Sequence, residues 1–197
     1  MWEERFKTPD YVFGTEPAQF LRDHQSFLSQ GKTALSVADG EGRNSVFMAQ
    51  CGMDVTALEF APSAIAKARK LASSRGVTVD FRQTDVLAHD WPDTYDIVVG
   101  IFIQFVGPDD RRRLFDGMKR SVKPGGLIML HGYTPRQLEY GTGGPPFAEN
   151  MYTEVVLRGL FPGWEVLELR AYDREVQEGR GHSGMSALID FIARRPG

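Results

Sequence analysis

Short apolar runs alternate with amphipathic stretches through most of this chain. "TALSVA" (33–38), "DVTALEF" (54–60) and "VTVDFRQTDV" (77–86) predict strands. "YDIVVGIFI" (95–103) and "LIMLHGY" (127–133) are more continuously apolar and predict strands covered on both faces. Between them, "RNSVFMAQCG" (43–52) predicts a short helix ended at Gly52. A second helix opens at Pro62 and Ser63 and runs through Ala64, Ala68 and Leu71. "PDDRRRLFDGMKRSV" (108–122) predicts an amphipathic helix stopped by Pro124-Gly125-Gly126. Upstream, Pro17 starts a helix with Phe20, Leu21, Phe27 and Leu28 near one face. Downstream, a helix is predicted around 153–161. "WEVLELRAYDREVQ" and "SALIDFIARR" then alternate with period two, as an antiparallel hairpin does.

Strands alternating with helices, closed by a hairpin, predict an α/β three-layer sandwich around a mostly parallel, seven-stranded sheet. The 197 residues suffice for one well-buried core, so a single domain is expected. The stretch from Gly143 to Asn150 predicts a functional loop, because compact domains seldom keep long structureless connections.

Charge and cysteine content narrow the function classes. A net charge of −3 exerts no overall pull on nucleic acid or anionic membrane, and Arg111-Arg112-Arg113 reads as a solvated helix face. The single cysteine, Cys51, has no internal disulfide partner and is compatible with a reducing compartment. "MWEERFKTPD" lacks the apolar core of a signal peptide, and no apolar run reaches the roughly 20 residues of a spanning helix. A cytoplasmic protein is expected, with neither nucleic acid nor membrane as partner. Four histidines and one cysteine show no metal-ligand spacing, so no metal is expected.

The candidate chemistry begins in "ALSVADGEGRN" (34–44), a strand entering a glycine-rich turn and a helix. Gly40 and Gly42 permit a tight turn and close approach of a ligand. Ser45 stands where a dinucleotide fingerprint has its third glycine, and no G-x-x-x-x-G-K-[ST] phosphate loop is present. Glu59 closes the second strand, where a carboxylate suits two ribose hydroxyls. Asp85 closes the third, where an acceptor suits the exocyclic amine of adenine. One glycine turn and two acids thus outline an adenosine-shaped pocket without a diphosphate.

These residues resemble the class I S-adenosylmethionine-dependent methyltransferases over about residues 34 to 130. "ALSVADGEGRN" matches the family's first motif, Glu59 its second-strand acid, "TDV" its third-strand acid and "VKPGGLIML" its late turn and strand. "YVFGTEP" (11–17), "GEGRNS", "YGTGGP" (140–145) and "EGRGHSG" (178–184) further resemble the small tellurite-resistance-type and thiopurine-type methyltransferases. Three positions depart from the pattern. Ser36 replaces the acid that braces the loop, Ala38 replaces the first glycine, and Asp39 replaces a cysteine and is expected to put a charge beside the cofactor's carboxylate end.

The resemblance implies a Rossmann-like fold and S-adenosylmethionine as cofactor. It divides the chain into an N-terminal lid and helix (1–30), a cofactor-binding core (33–133) and a substrate-side loop with hairpin (134–197). The cofactor residues it implies are Ala38, Asp39, Gly40 and Gly42 under the methionine and ribose, with Glu59 on the ribose hydroxyls. Phe60 and Val86 sandwich the adenine, Asp85 reads its edge, and Ile101 lines the pocket. Arg5 or Arg43 meets the methionine carboxylate, with Trp2, Tyr11 and Phe13 as lid. The acceptor side is drawn from Phe102, Gln104, the "GTGGPPF" loop and the candidate catalytic residues His131, Tyr133 and His182.

The expected activity is methyl transfer to a small-molecule nucleophile such as a thiol or chalcogen oxyanion, by a monomer or homodimer. A non-catalytic protein that binds the cofactor or its demethylated product is the alternative from another class, kept open by Ser36, Ala38 and Asp39. A dinucleotide-dependent oxidoreductase and a nucleic-acid methylase fit less well.

Overall fold

In the computed structural model, which describes residues 2–197, the apolar runs form seven strands: β1 (Thr33–Val37), β2 (Asp54–Glu59), β3 (Asp80–Gln83), β4 (Tyr95–Ile101), β5 (Val122–Tyr133), β6 (Glu165–Gln177) and β7 (Ser183–Arg194). They make one sheet in the order β3-β2-β1-β4-β5-β7-β6. The pairs β1–β2, β2–β3 and β4–β5 are parallel, and β5–β7 and β6–β7 are antiparallel. The expected mostly parallel sheet with a C-terminal hairpin is therefore the observed fold. Seven α-helices accompany it: α1 (Trp2–Phe6), α2 (Gln19–Asp23), α3 (Arg43–Gln50), α4 (Pro62–Ser74), α5 (Pro108–Arg120), α6 (Gln137–Tyr140) and α7 (Glu154–Leu160). No helix among the described residues is long and apolar enough to cross a membrane.

Four boundaries differ from the pattern reading. Trp2–Phe6 is helical, though five residues are too few to show a helical period. The helix expected from Pro17 begins at Gln19, breaks at His24 and gives way to a 3-10 turn over Gln25–Phe27. β3 is confined to four residues, of which only Phe81 is buried, as suits a strand paired on one side. β5 starts at Val122, five residues earlier than expected. Pro124-Gly125-Gly126 is absorbed as an irregularity between the pairs Tyr95–Val122 and Ile97–Leu127 instead of ending the pairing.

Two compact units make up the chain. The first is the stretch up to His89 with Glu178–Gly181, holding β1–β3 and α1–α4. Its α4 buries Ala64, Ile65, Ala68, Leu71 and Ala72, small residues mostly, which lets its backbone come close to what it covers. Phe6, Val12, Ala61 and Ala64 form a buried cluster there, with Phe13 against it. The second unit is Asp90–Gln177 with His182–Gly197. In it Tyr133, Met151, Val176 and Leu188 cluster, with Phe102 and Tyr172 packed on them.

Candidate functional site

β1 runs straight into a turn in which Ala38, Gly40 and Gly42 all take left-handed backbone angles, with φ of +50°, +65° and +89°. α3 follows at Arg43. Ala38 holds that geometry despite its Cβ, at a cost of roughly 1–2 kcal/mol. The two glycines serve different ends. A Cβ on Gly42 would lie 2.7 Å from Ala68 Cβ, so this glycine lets α4 pack against the turn. A Cβ on Gly40 would make only an ordinary contact with Phe6 Cζ at 3.7 Å, so this side of the turn is uncrowded. Gly42 can line a ligand through its backbone alone, because the side where a Cβ would sit is filled by the helix.

Asp39 is also placed differently from expectation. Its carboxylate turns inward and accepts from Ser36 Oγ at 2.7 Å, Ser45 Oγ at 2.5 Å and Ser45 N at 3.2 Å. It is 8% exposed, and burial pushes its pKa up against the pull of these hydrogen bonds. A carboxylate three residues beyond Ser36 thus braces the turn from within.

Glu59, at the end of β2, is buried. Its Oε2 accepts from Gly40 N and its Oε1 from Ala61 N, each at 2.8 Å. Burial raises its pKa, opposed by those backbone donors and reinforced by the charge of Asp39. Next to it, Phe60 is 60% exposed, a large aromatic face on the surface beside the turn, while Val86 is buried. Asp85 is exposed and its Oδ1 accepts from Leu87 N at 2.9 Å, closing a local turn.

The N-terminal segment is tied to this turn by a residue that pattern reading missed. Glu41, 2% exposed, accepts from Val12 N at 2.8 Å and Phe13 N at 3.3 Å, and pairs with Lys67 Nζ at 2.7 Å. Glu3 on α1 caps α4, accepting from Ser63 Oγ at 2.6 Å and Ser63 N at 3.1 Å. The expected lid residues gather here. The Arg5 guanidinium lies 5.1 Å from the ring centres of both Trp2 and Phe13, and Tyr11 Oη donates to the Lys67 carbonyl at 3.0 Å. Arg5 is exposed, whereas Arg43 is buried with Nη1 2.8 Å from Glu178 Oε2, its charge already paired. Nothing in the local sequence around Glu41 or Arg43 signals these partners, which lie 26 to 29 residues away for Glu41 and much farther for Arg43.

In the second unit, β4 ends at Ile101, level with His131 of β5, and Phe102 follows with φ of +55°. Its ring is stacked on His182 at 4.1 Å and meets His131 edge-on at 4.8 Å. Tyr133 Oη and His182 Nδ1 are 2.6 Å apart. Gln104 binds the backbone of Tyr133 in both directions, donating to its carbonyl at 2.8 Å and accepting from its N–H at 2.7 Å. His131 Nδ1 lies 2.6 Å from Asp190 Oδ1, its direct partner across β5–β7 and a residue the pattern reading did not single out. The "GTGGPPF" loop reaches this group: a Cβ on Gly144 would sit 2.9 Å from the Tyr133 ring, and Gln137 Nε2 donates to the Gly143 carbonyl at 3.2 Å. The three candidate catalytic residues are thus brought together around Phe102.

Comparison with known proteins adds to this geometry. A family described as a methyltransferase domain matches residues 34–126. A ubiquinone biosynthesis O-methyltransferase of Pseudomonas paraeruginosa is 38% identical over 104 residues, covering 51% of this chain and 44% of that protein. The chain thus spans less than half the length of that curated relative. Among solved structures, TehB from Haemophilus influenzae is similar with a TM-score of 0.74 at 18% identity, over 98% of this chain and 65% of that one. The N-methyltransferase NodS from Bradyrhizobium japonicum, in complex with S-adenosyl-L-homocysteine, is similar with a TM-score of 0.73 at 17% identity, over 100% and 97%. At such identities the structural likenesses speak to the fold.

Proposed function

We propose that the protein is a class I, S-adenosylmethionine-dependent methyltransferase that transfers the methyl group of that cofactor to a small-molecule nucleophile, a reading supported by the match of residues 34–126 to a methyltransferase domain. The observation that carries the reading is the uncrowded, left-handed Gly40 held by the buried Glu59. An ionised carboxylate offers about four acceptor positions. The amides of Gly40, Phe60 and Ala61 do not exhaust them, which suits the hydroxyls of a ribose. Phe60 supplies an exposed aromatic face for a base, and Arg5 an exposed cation for a carboxylate.

Bound S-adenosylmethionine brings a methyl on a sulfonium, already activated for displacement. The chain's own task is positioning and exclusion of water. In this reading Glu59 and Gly40 orient the nucleoside, and α1 with Phe13 shields it. Phe102, Tyr133, His182 and the "GTGGPPF" loop shape the acceptor side. The net charge of −3 disfavours a polyanionic nucleic acid, and the aromatic strand ends suit a small acceptor, of the thiol or chalcogen-oxyanion kind or similar.

Calorimetric titration with S-adenosylmethionine and S-adenosylhomocysteine tests the proposal. Binding at about −8 kcal/mol, the micromolar range, is expected for the wild type and its collapse for Glu59→Ala. Absence of binding by either ligand to the wild type would refute it.

A further inference from the structure

Two stretches far apart in the chain, "YVFGTEP" (11–17) and "EGRGHSG" (178–184), meet through Val12–Gly14 and Gly179–Gly181. The tip of the β6–β7 hairpin, Glu178–Gly181, belongs to the first compact unit, although both of its strands belong to the second. There the Gly181 N–H donates to the Val12 carbonyl at 3.1 Å. The approach is close because the tip presents bare backbone. A Cβ on Gly181 would lie 2.1 Å from Phe13 Cε1, and one on Gly179 would lie 2.4 Å from the Phe13 carbonyl carbon. Glu178 anchors the tip: its Oε1 accepts from Gln19 N at 2.9 Å, and its Oε2 lies 2.8 Å from Nη1 of the buried Arg43. Arg180 pairs with Asp10, but both are exposed and the pair adds little.

Val12 and Phe13 are thereby gripped twice. Their N–H groups donate to Glu41 in the glycine turn, while the tip takes the Val12 carbonyl and backs the Phe13 ring. The same ring meets α1, with its centre 6.2 Å from that of Phe6 and 6.4 Å from that of Trp2. Phe6 Cζ stands 3.7 Å from the place of a Gly40 Cβ, and Phe6 shares a buried cluster with Ala61, whose N–H donates to Glu59. A line of contacts so runs from the hairpin tip through Phe13 and Phe6 to Gly40. α1 has five residues, too few to stay helical alone in water. Its place beside Gly40 depends on the Glu3–Ser63 contact and on the rings around Phe13.

We infer that the tip Glu178–Gly181 is a latch with Gly181 as its positioning residue: by backing Phe13 it keeps α1 closed beside Gly40 and Glu59, and so sets how long a bound cofactor is retained. The inference rests on the methyl-transfer reading above and concerns retention of its cofactor. A lid of this kind gates entry and release without touching the reacting atoms. The bare Cα at position 181 is the specific requirement, because any side chain there must drive the Phe13 ring off the tip.

Release of S-adenosylhomocysteine, followed by stopped flow and set beside urea unfolding of the same proteins, tests the latch. Gly181→Ala should release the ligand on the order of tenfold faster, the size of one lost hydrogen bond. Adding Phe13→Leu to Gly181→Ala gives the new methyl room and should recover part of that loss, which a general loss of stability would not do. Arg180→Ala should release at the wild-type rate. Phe13→Leu alone crowds nothing and should already quicken release, so the test does not hang on the folding of Gly181→Ala. Trypsin cleavage after the exposed Arg5 and Lys7, read by mass spectrometry, reports the lid directly. Saturating S-adenosylhomocysteine should slow that cleavage in the wild type and protect Gly181→Ala much less. Wild-type release rates in Gly181→Ala or in Phe13→Leu, no recovery in the double variant, or equal protection from trypsin would overturn the inference while leaving methyl transfer standing. Failure of the wild type to bind S-adenosylhomocysteine would instead bring down the reading beneath it.

Discussion

Replacing Asp39 by alanine asks whether this carboxylate has taken over the work of the acid missing from position 36. It receives hydrogen bonds from Ser36 Oγ, Ser45 Oγ and Ser45 N. The Ser45 hydroxyl has a second acceptor in the Gly42 carbonyl at 3.2 Å, so alanine strands two donors, the Ser36 hydroxyl and the Ser45 N–H. Both residues are buried. An unpaired buried donor costs about 1–3 kcal/mol. Against this, the buried carboxylate itself opposes folding, since burial raises its pKa, and its removal returns part of the loss. The expected balance for Asp39→Ala is a loss of about 2–3 kcal/mol. Asp39→Asn keeps an oxygen for Ser36 and the Ser45 amide and should stay within about 1 kcal/mol of wild type. Urea unfolding at unchanged m-value measures the difference. The alanine variant should also melt about 5–10 °C lower, given the length of the chain. Calorimetry should show S-adenosylhomocysteine bound at least about tenfold more weakly, or 1.4 kcal/mol, by the alanine variant only. If the alanine variant matches the asparagine variant in stability and the wild type in binding, Asp39 is not the brace and the reasoning is wrong.

The two glycines of the turn should separate cleanly. Gly42→Ala forces a Cβ to 2.7 Å from Ala68 Cβ at a φ of +89° and should cost about 2–4 kcal/mol of stability. Gly40→Ala should cost about 1–2 kcal/mol yet abolish cofactor binding, and the reverse pattern in denaturation and calorimetry would refute the division. Glu59→Gln leaves one oxygen for the backbone amides of Gly40, Phe60 and Ala61, so a loss of about 1–3 kcal/mol is expected together with weakened nucleoside binding. Ala38→Gly relieves the left-handed strain and should gain about 0.5–1 kcal/mol after the added freedom of the unfolded chain is counted; a loss in urea midpoint would contradict this. Because the pKa values of Asp39 and Glu59 are raised from 3.8 and 4.5, the folded chain keeps protons that the unfolded chain has released just above those values. Their contribution to stability is therefore greatest in acid and falls as pH climbs through the folded values. Asp39→Asn should flatten the stability–pH curve of the unliganded protein, and parallel curves for mutant and wild type would count against it.

Much of the fold was legible from local pattern because strands and helices differ in period and are punctuated by glycine and proline. The runs 33–38, 54–60 and 95–103 each contain a strand of the sheet, and the glycine turn joins β1 to α3 as expected. What escaped reading depended on distance in sequence. The inward turn of Asp39 follows from two serines that look unremarkable in the chain. Glu41 meets Val12 and Phe13, and Arg43 meets Glu178, through folding alone. Asp190 faces His131 only because two strands 59 residues apart align in register. Even Pro124-Gly125-Gly126, a strong stop signal, yields to the pairing of β5 once an irregularity absorbs it.

The single carboxylate of Glu41 is shared between the amides of Val12 and Phe13 and the ammonium of Lys67 on α4. That sharing makes the glycine turn and the N-terminal segment one cooperative unit of local opening. Neither can detach without exposing the same buried charge. Hydrogen exchange at the Val12 and Phe13 amides consequently reads out the state of the turn, and a ligand that touches only Gly40 slows exchange at backbone sites nearly thirty residues upstream in the chain.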